Sequence, residues 1–473
     1  MEAKGGRLGQ SCGSATTKAA GSGGVTRMED FFRLLRELKQ RGIKEAWLVG
    51  GVVRDCLMGK EPSDVDIVCD ESDPLELVSK VGGSVVGRAP SCTVSTKLLD
   101  MPVEISLLTG GTLLKDLKRR DFTINAVAAD AEGGIVDPFD GVRDIRDRVL
   151  RLLPVLPSPY EADPIRAVRL LRFACTLDFD IAFRTEKTTK KFVREQGLRL
   201  KQVAGERYGK EFLKGFAARP YDFLKLIEDY GMLPLVLPEV EDMRGVKQPV
   251  AFHPEGDVLD HTFRALFEAQ KTARSRPGGK DVVLALAALF HDVGKPSCAR
   301  VHPKYDRVCF FGHEEAGERM AKAVLSAWAV PGKIADAVSL LVRHHMIPGG
   351  SFTERTGVKL LNRMDAEAAE RLFDLALCDA RGAMGEGRNI LESRQIFCEV
   401  RDNLLRAQAT AEGGKRWVDG HDVMAILGMP PGPAVGRVLE ELKVIAASGG
   451  LQGREEALEW LSKRGTQDSS GSI

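Results

Sequence analysis

The feature that most constrains this chain is a buried strand that runs directly into two glycines and a short helix. The strand is predicted at Ala46–Val49, Gly50 and Gly51 follow, and the helix is predicted at Val52–Met58. Glycines at such a turn let the backbone approach a phosphate group, and the helix N-terminus offers it unpaired N–H groups. The sequence has neither a Walker A nor a G-x-G-x-x-G pattern, which disfavours P-loop and Rossmann chemistry. A Gly-Gly turn by itself is usually only a turn, so a function needs further residues.

Two aspartates follow this turn at a spacing of two. Asp64–Cys69 alternates polar and apolar residues, which predicts a strand with Asp64 and Asp66 on the same face. Two carboxylates this close are unfavourable unless a cation lies between them, although exposed strand residues would explain the pattern equally simply. Mg²⁺ prefers carboxylates combined with substrate phosphates, and Glu104 on the predicted strand Val103–Leu107 adds a third carboxylate. These three residues are the candidate catalytic carboxylates of a two-metal site, with Mg²⁺ held by both aspartates.

The periodicity of apolar residues divides the chain into an α/β part and a helical part. Short strands are also predicted at Ser84–Val86 and Thr93–Lys97, after a helix over residues 28–42. From Asp163 onwards the spacing is that of helices, interrupted by prolines at about residues 240–252. The fold class that follows is an N-terminal α/β domain with all-α domains behind it.

Composition excludes several classes of protein. The 473 residues are 43% hydrophobic and 29% charged, which is ordinary for a globular chain. No apolar run approaches the roughly 20 residues of a membrane helix, and the first residues lack the apolar segment of a signal peptide. Nine cysteines without a C-x-x-C pair argue against a zinc ribbon and a disulfide framework. We therefore expect reduced thiols, a cytoplasmic location and no membrane partner.

One stretch of the helical part is strongly basic. Residues 184–214 contain ten Lys and Arg against four Glu, although the net charge of the whole chain is only +1. Such an excess fits a phosphate backbone, and a solvated helical face is an equally good interpretation of this stretch alone.

Four motifs in order give the chain a specific resemblance. They are GGVVRD (50–55) with DVD (64–66), RRDFTINA (119–126), DPFDG (137–141) and DPIRAVRLLRFA (163–174). Together they resemble the tRNA CCA-adding enzymes and bacterial poly(A) polymerases, over residues 45–240. The resemblance implies a polymerase-beta-like nucleotidyltransferase domain that extends the 3′ end of tRNA without a nucleic-acid template.

The resemblance also implies roles for individual residues. Asp163 and Arg166 would read the Watson–Crick edge of CTP or ATP, and Arg169, Arg172 and Arg120 would contact base or phosphates. The full set of nucleotide-binding residues that the resemblance implies is Gly50, Gly51, Arg54, Arg120, Asp121, Asn125, Asp163, Arg166, Arg169 and Arg172. The basic stretch becomes the candidate tRNA-binding surface, with Lys187, Lys190, Lys191, Arg194, Lys201, Arg207 and Lys210.

Two departures from the family bear on which nucleotides are added. Enzymes that add all of CCA carry a long Arg-bearing loop after the third carboxylate, whereas Glu104 and Arg119 are fifteen positions apart with no Arg between them. Ala162 also replaces the Glu that usually precedes the base-reading Asp. We therefore expect addition of CC from CTP. Full CCA addition from CTP and ATP is the first alternative, and poly(A) synthesis the second.

Histidines mark a further metal site. Seven of the eight lie between residues 253 and 345, and His261, His291-Asp292 and Asp379 form an H…HD…D pattern. This segment resembles an HD phosphohydrolase domain, which implies a divalent transition metal and attack of an activated water on phosphorus. Second-metal candidates are His313 with His344 or His345.

Alternatives to these roles remain open. In one alternative, the HD segment serves mainly to bind tRNA. In the other, the whole chain is a nucleotide-sensing HD protein whose transferase fold is only a binding module. The expected domain ranges are a disordered tail at 1–27, the nucleotidyltransferase domain at 28–150, a helical nucleotide-selection and tRNA-binding domain at 151–250, the HD domain at 251–405 and a C-terminal helical segment at 406–473.

Overall fold

The computed structural model describes most of the chain. The described residues are 22–87, 92–155, 158–250, 253–304, 307–346, 353–383, 391–392, 394–399, 401–402, 417–447, 450–451 and 453–469. They fall into two compact units. Unit 1 comprises residues up to 166 together with 178–188, and unit 2 comprises 167–177 together with 189 onwards.

Unit 1 is built on a mixed sheet of seven strands in the order β3-β4-β5-β2-β1-β6-β7. Its strands are β1 (Ala46–Val49), β2 (Asp66–Cys69), β3 (Ser84–Val86), β4 (Thr93–Leu98), β5 (Met101–Leu107), β6 (Ala128–Ala129) and β7 (Ile135–Val136). A short parallel pair, β8 (Val149–Leu150) and β9 (Asp180–Ile181), lies outside this sheet. The helices are α1 (Ser22–Gln40), α2 (Gly51–Leu57), α3 (Pro74–Val81), α4 (Leu113–Lys118), α5 (Gly141–Asp147) and α6 (Pro159–Ala162).

The core of unit 1 explains the apolar periodicity of its helices. Leu34 and Leu38 of α1 and Val52 of α2 are fully buried and pack in one cluster with the strand residues Ile67 and Ile105. Burying aliphatic side chains of this size contributes about 1.5–3 kcal/mol each. Both helices therefore cover the sheet, whereas Glu104 of β5 is exposed and Asp66 of β2 is half-exposed.

The strand and helix predictions for unit 1 are largely confirmed, with three corrections. The first helix begins at Ser22, so residues 22–27 are helical and not part of a disordered tail; residues 1–21 lie outside the described part. Strand β2 begins at Asp66 and not at Asp64, because its pairing with β5 begins at Asp66 and its pairing with β1 begins at Ile67. Strands β6 and β7 were missed, since two residues are too few to show an alternation.

Unit 2 is helical, as the sequence predicts. Its helices are α7 (Arg166–Leu177, which begins at the last residue of unit 1), α8 (Phe183–Gln196, which continues from unit 1), α9 (Gly205–Ala218), α10 (Pro220–Asp229), α11 (Leu233–Val236), α12 (Pro238–Glu241), α13 (Val258–Arg274), α14 (Val282–Phe290), α15 (Lys295–Cys298), α16 (His313–Ala327), α17 (Gly332–His344), α18 (Glu354–Leu361), α19 (Ala366–Gly382), α20 (Gly420–Leu427), α21 (Pro433–Ala447) and α22 (Arg454–Ser469). A hairpin of β10 (Arg300–His302) and β11 (Arg307–Cys309) lies between α15 and α16.

Two glycines let α9 lie directly on the helices that follow. A Cβ at Gly205 or Gly209 would collide with the backbone carbonyl of Ala327 or Trp328 at the end of α16. The rings of Phe212 and Trp328 are 4.5 Å apart at the same contact. The part of the basic stretch from residue 189 onwards therefore shares one packed unit with the histidine-rich helices. Among the described residues, none of the helices combines the length and apolar character needed to cross a membrane.

Candidate active site and metal centre

The Gly-Gly turn of unit 1 is shaped by an arginine of the RRD motif. Gly50 precedes α2 with φ 71°, and a Cβ there would lie 2.7 Å from Nη1 of Arg120. Arg120 is held in place by a 3.1 Å ion pair with Asp116 and donates to the carbonyl of Asn125 at 3.4 Å. The positive φ therefore favours glycine at position 50, and any larger residue there would displace this guanidinium.

Below the turn, three predicted nucleotide-binding residues hydrogen-bond to each other. Arg54 of α2 donates to the side-chain oxygen of Asn125 at 2.8 Å, and the Asn125 amide donates to Asp121 at 2.9 Å. All three are buried. Arg54 also pairs with Asp55 at 2.8 Å. This chain of charge-assisted bonds fixes the RRD segment against α2 and thereby supports the Gly-Gly turn.

Two of the three candidate catalytic carboxylates lie at neighbouring positions of the sheet. Asp66 and Glu104 are partners in the parallel pair β2–β5, and Glu104 is exposed between the buried Val103 and Ile105. Asp64 is exposed in the bend before β2, where the Ser63 hydroxyl donates to it at 2.8 Å. An oxygen-only set that is exposed or half-exposed fits Mg²⁺, which keeps waters and takes further oxygens from substrate phosphates.

Arg166, the candidate base reader, is fixed by backbone carbonyls. Its guanidinium donates to the carbonyl of Arg119 at 2.6 Å, and to those of Arg120 and Pro159 at 3.4 Å each. It also lies 3.8 Å from the carboxylate of Asp163. The two residues predicted to read the base are therefore adjacent, in the part of unit 1 that contains Ala162 at the end of α6.

Arg169 and Arg172, in unit 2, share one carboxylate that sequence reasoning missed. Glu211 of α9 accepts from Arg169 at 2.8 Å and from Arg172 at 2.6 Å. Arg172 is buried and stacks on the ring of Phe173 at 3.6 Å. The structure thus places both guanidiniums on Glu211, and their predicted contact with a base or phosphates stays a prediction.

The candidate tRNA-binding side chains are all exposed. Lys190, Lys191 and Arg194 lie within four residues on α8, so their side chains share a helix face. Exposed side chains with this spacing suit a phosphate backbone. Every member of the predicted set is exposed: Lys187, Lys190, Lys191, Arg194, Lys201, Arg207 and Lys210.

The histidines of the H…HD…D pattern converge in unit 2, with Nε2 atoms facing each other. His261 Nε2 lies 2.9 Å from Asp379 Oδ1 and 3.3 Å from His291 Nε2. His313 Nε2 lies 3.2 Å from His345 Nε2. Both of these histidine pairs belong to groups that lie close enough to hold a metal ion, and Asp292 is common to both groups. Its Oδ2 is 3.3 Å from His291 Nε2 and its Oδ1 is 3.5 Å from His313 Nε2.

The ring orientation in these pairs is set by the backbone. Nδ1 of His291, His313 and His345 lies 2.9, 2.7 and 2.8 Å from the carbonyl three residues earlier. A carbonyl only accepts, so each Nδ1 carries the proton and each neutral ring presents an Nε2 lone pair. Two lone pairs at 3.2 Å repel unless a cation lies between them. The nitrogen and oxygen donors fit a divalent transition metal.

Of the two adjacent candidates on α17, His345 joins the cluster and His344 does not. His345 is 2% exposed, whereas His344 is half-buried near Arg343 and Arg363, and burial together with these charges lowers its pKa. Of these two alternatives, the structure therefore places His345 beside His313 and Asp292.

Electrostatics in the cluster favour ionised carboxylates, and they act in opposite directions on two of the histidines. Burial opposes a charge on His261, but the carboxylates of Asp379 and Glu255 outweigh it and raise the pKa of His261 to about 9. Burial opposes the charge on Asp292, but His291 and Lys295 outweigh it and lower the pKa of Asp292 well below its usual value. The Lys295 ammonium lies 2.6 Å from the same carboxylate, a contact that the sequence did not predict. Burial and the charge of His291 lower the pKa of His345 to about 4. Deprotonated ligands of this kind are the ones that bind metal.

Comparison with known proteins shows the family to which the chain belongs. The model of the Poly A polymerase head domain matches residues 46–85 and 86–151, that of the probable RNA and SrmB- binding site of polymerase A matches 182–243, and that of the HD domain matches 258–382. The A-adding tRNA nucleotidyltransferase of Deinococcus radiodurans is 30% identical over 90% of this chain and 97% of its own. The chain belongs to the tRNA nucleotidyltransferase family. The predicted family is thereby confirmed.

Other relatives in this family carry different activities in their names. The CC-adding tRNA nucleotidyltransferase of Thermus thermophilus is 31% identical over 90% of this chain and 96% of its own. The Multifunctional CCA protein of Leptothrix cholodnii is 32% identical over 85% of this chain and 95% of its own. The fold is that of the Bacillus stearothermophilus CCA-adding enzyme solved in complex with CTP, with a TM-score of 0.60, 23% identity and coverage of 94% and 99% of the two chains. Identities this similar do not distinguish A-, CC- and CCA-adding members.

Proposed function

We propose that this tRNA nucleotidyltransferase adds CC, from CTP, to tRNA that lacks its 3′ end. The supporting observation is the connection between Glu104 and Arg119, which is short and ends in a helix. After β5 it forms a 3-10 turn at Thr109–Gly111 and then α4, whose first turn is capped by the Thr112 hydroxyl. A connection this ordered leaves little chain to rearrange between addition of C and addition of A.

The base-reading residues are held just as tightly. Arg166 is fixed by the carbonyls of Arg119 and Arg120, which follow α4 directly. Cytosine presents one amino donor and two acceptors, so the Asp163 carboxylate would accept from its amino group while Arg166 donates to its acceptors. An Arg166 side chain that backbone atoms hold in one position favours one base. Ala162 supplies no carboxylate that would offer Arg166 a second position.

The candidate catalytic carboxylates would bind the metal that the reaction needs. We assign Mg²⁺ binding to Asp64, Asp66 and Glu104, where the bound ion would favour attack of the tRNA 3′-hydroxyl and departure of pyrophosphate. The Gly50-Gly51 turn and the N-terminus of α2 would bind the triphosphate through backbone N–H groups. These carboxylates also argue against a protein that only senses nucleotides, since binding alone needs no such set.

One assay tests the nucleotide choice. The purified protein is given tRNA ending at the discriminator base, or the same tRNA ending in CC, with CTP, ATP or both. We expect two cytidines on the first tRNA and none on the second. Efficient addition of one A to the CC-ending tRNA would contradict the proposal and identify an A- or CCA-adding enzyme, and long A tails would identify a poly(A) polymerase.

For unit 2 we propose a metal-dependent phosphohydrolase activity. A divalent metal at the histidine cluster would activate water for attack on phosphorus, and Lys295, 2.6 Å from Asp292, would neutralise charge beside the ligands. Hydrolysis of a 2′,3′-cyclic phosphate and of a phosphomonoester is measured with and without added Co²⁺, Ni²⁺ or Mn²⁺. Binding of these metals without turnover of either substrate would instead favour a role of this segment in tRNA binding.

A further inference from the structure

Three of the four histidines in the metal cluster are oriented in the same way, and the fourth is not. Nδ1 of His291, His313 and His345 each meets the carbonyl of the residue three positions earlier. For His261 that carbonyl belongs to Val258, and it accepts from the Thr262 hydroxyl at 2.8 Å instead. His261 therefore needs another acceptor for its Nδ1 proton.

Glu255 supplies that acceptor. Its Oε1 lies 2.9 Å from His261 Nδ1, on the side of the ring opposite to Nε2, which faces Asp379 and His291. The same oxygen lies 2.8 Å from Nδ1 of His253. The side chain of Glu255 is 0% exposed, and within the described residues its Oε2 is buried without a hydrogen-bond partner.

The local backbone is built to bring this carboxylate to the helix. Gly256 has φ 139°, and Asp257 then caps α13 in a reciprocal pair with Asp260. The Asp257 carboxylate also accepts from the backbone N–H of Gly245 at 2.6 Å. This sharp turn directs Glu255 back onto the first turns of α13, where His261 lies.

We propose that Glu255 is a positioning residue for the metal centre, which holds His261 in the tautomer whose Nε2 lone pair faces the metal. The inference rests on the proposed metal-dependent function of unit 2. A buried carboxylate is unfavourable unless its contacts compensate, and orienting a metal ligand is such a contact. Carboxylates that orient a ligating histidine usually change metal affinity by about 10- to 100-fold when removed.

A second interpretation of the same atoms competes with this one. His253, Glu255 and His261 also lie close enough together to form a metal-binding group of their own. In that case His261 would bind one ion through each ring nitrogen. Positioning is favoured because Oε1 lies at ordinary hydrogen-bond distances from both Nδ1 atoms, so an N–H from each ring accounts for the contacts.

The test measures metal binding in the full-length protein. Protein freed of metal by chelation is titrated with Co²⁺, and the visible absorption of the bound ion gives affinity, stoichiometry and ligand field. For Glu255→Ala we expect Co²⁺ affinity about 10- to 100-fold weaker, a shifted absorption band and unchanged stoichiometry. Glu255→Gln keeps an acceptor oxygen and should lose less affinity than Glu255→Ala. Glu455→Ala, which removes an exposed carboxylate of the same unit, should bind as the wild type does.

Each other outcome has a distinct meaning. Wild-type affinity in Glu255→Ala, or equal losses in the Ala and Gln variants, would overturn the positioning role. A loss of one bound Co²⁺ in both His253→Ala and Glu255→Ala would overturn it in favour of a separate metal site. If the wild type binds no more Co²⁺ than the double variant His291→Ala/Asp292→Ala, the proposed metal centre itself fails. Circular dichroism of each metal-free variant shows whether it is folded.

Discussion

The two candidate metal sites of this chain differ in how much of the site the protein supplies. In unit 1, Asp64 and Glu104 are exposed, and the carboxylates are not among the groups of described residues close enough to hold a metal ion. In unit 2, His261 and His291 are 0% exposed and their Nε2 atoms already face each other. An open set of oxygens depends on substrate phosphates to complete the coordination of Mg²⁺, whereas a buried nitrogen-rich set retains its metal between turnovers.

This difference follows from chemistry. A nucleotidyltransferase site must admit a triphosphate with its metal and release pyrophosphate with it, which suits exposed ligands. A hydrolytic site needs only a bound water and a small phosphate ester, so it is compatible with burial. Each region should therefore respond differently when its ligands are removed.

The largest effect is expected from Asp66→Ala. The variant should lose at least about a thousandfold in the rate of CTP incorporation, because several kcal/mol of metal stabilisation are removed. Its melting temperature should stay near that of the wild type, since Asp66 is half-exposed at the beginning of β2. Single-turnover gel assays and thermal unfolding measure the two quantities. Glu132→Ala, an exposed carboxylate of the same unit, is the control, and a rate within tenfold of wild type in Asp66→Ala would remove Asp66 from the site.

The double variant His291→Ala/Asp292→Ala should abolish the activity of the histidine cluster in unit 2. We expect loss of bound transition metal, measured by elemental analysis, and loss of phosphate-ester hydrolysis, because two buried ligands are removed. Nucleotide addition should persist, since its ligands lie in a different unit. His421→Ala, at an exposed histidine, should keep its metal. Parallel loss of both activities would show that the two regions are not independent.

The two regions also differ in how much of their structure could be predicted from the sequence. Strand β1, the Gly-Gly turn and α2 could be predicted within one residue, because local periodicity and glycine determine them. Asp66 and Glu104 were correctly assigned to strands, but their direct pairing depends on the parallel register of β2 and β5. Register between distant strands is set by the whole sheet, which a local pattern does not show.

In unit 2 the sequence identified the candidate metal ligands, but it did not identify the residues that hold the candidate site residues in place. Helical spacing could not choose between His344 and His345, because each follows two apolar residues by four and three positions. These are Leu340 and Leu341 before His344, and Leu341 and Val342 before His345. Glu255 was missed, although it lies six residues before His261 in an HPEGD segment next to a helix start. Glu211 could not be found locally, because it is about forty residues from the arginines it binds.

A smaller effect is expected from Arg166→Ala in unit 1. Losing a charged hydrogen-bond donor to the base should reduce discrimination of CTP against UTP and ATP by about 10- to 100-fold, the value of a charged hydrogen bond. Affinity for tRNA should change little. Incorporation of each nucleotide under competition is compared with that of Arg143→Ala, which changes an exposed arginine of the same unit. A loss of tRNA affinity with unchanged nucleotide choice would assign Arg166 to the phosphate-binding surface.

The smallest effect should come from the basic face of α8, in unit 2. Lys191→Ala/Arg194→Ala removes two exposed cations, each within 4 Å of Glu195, so part of their charge is already balanced in the free protein. We therefore expect only a several-fold loss of tRNA affinity at moderate salt. If both side chains contact phosphates, the slope of log affinity against log salt should fall by about one unit for each. Lys333→Ala, an exposed lysine elsewhere in unit 2, should leave affinity and slope unchanged. An unchanged slope in the double variant would mean that α8 presents a solvated face, and the tRNA surface would then have to lie on other cations of the set, such as Lys201 and Arg207.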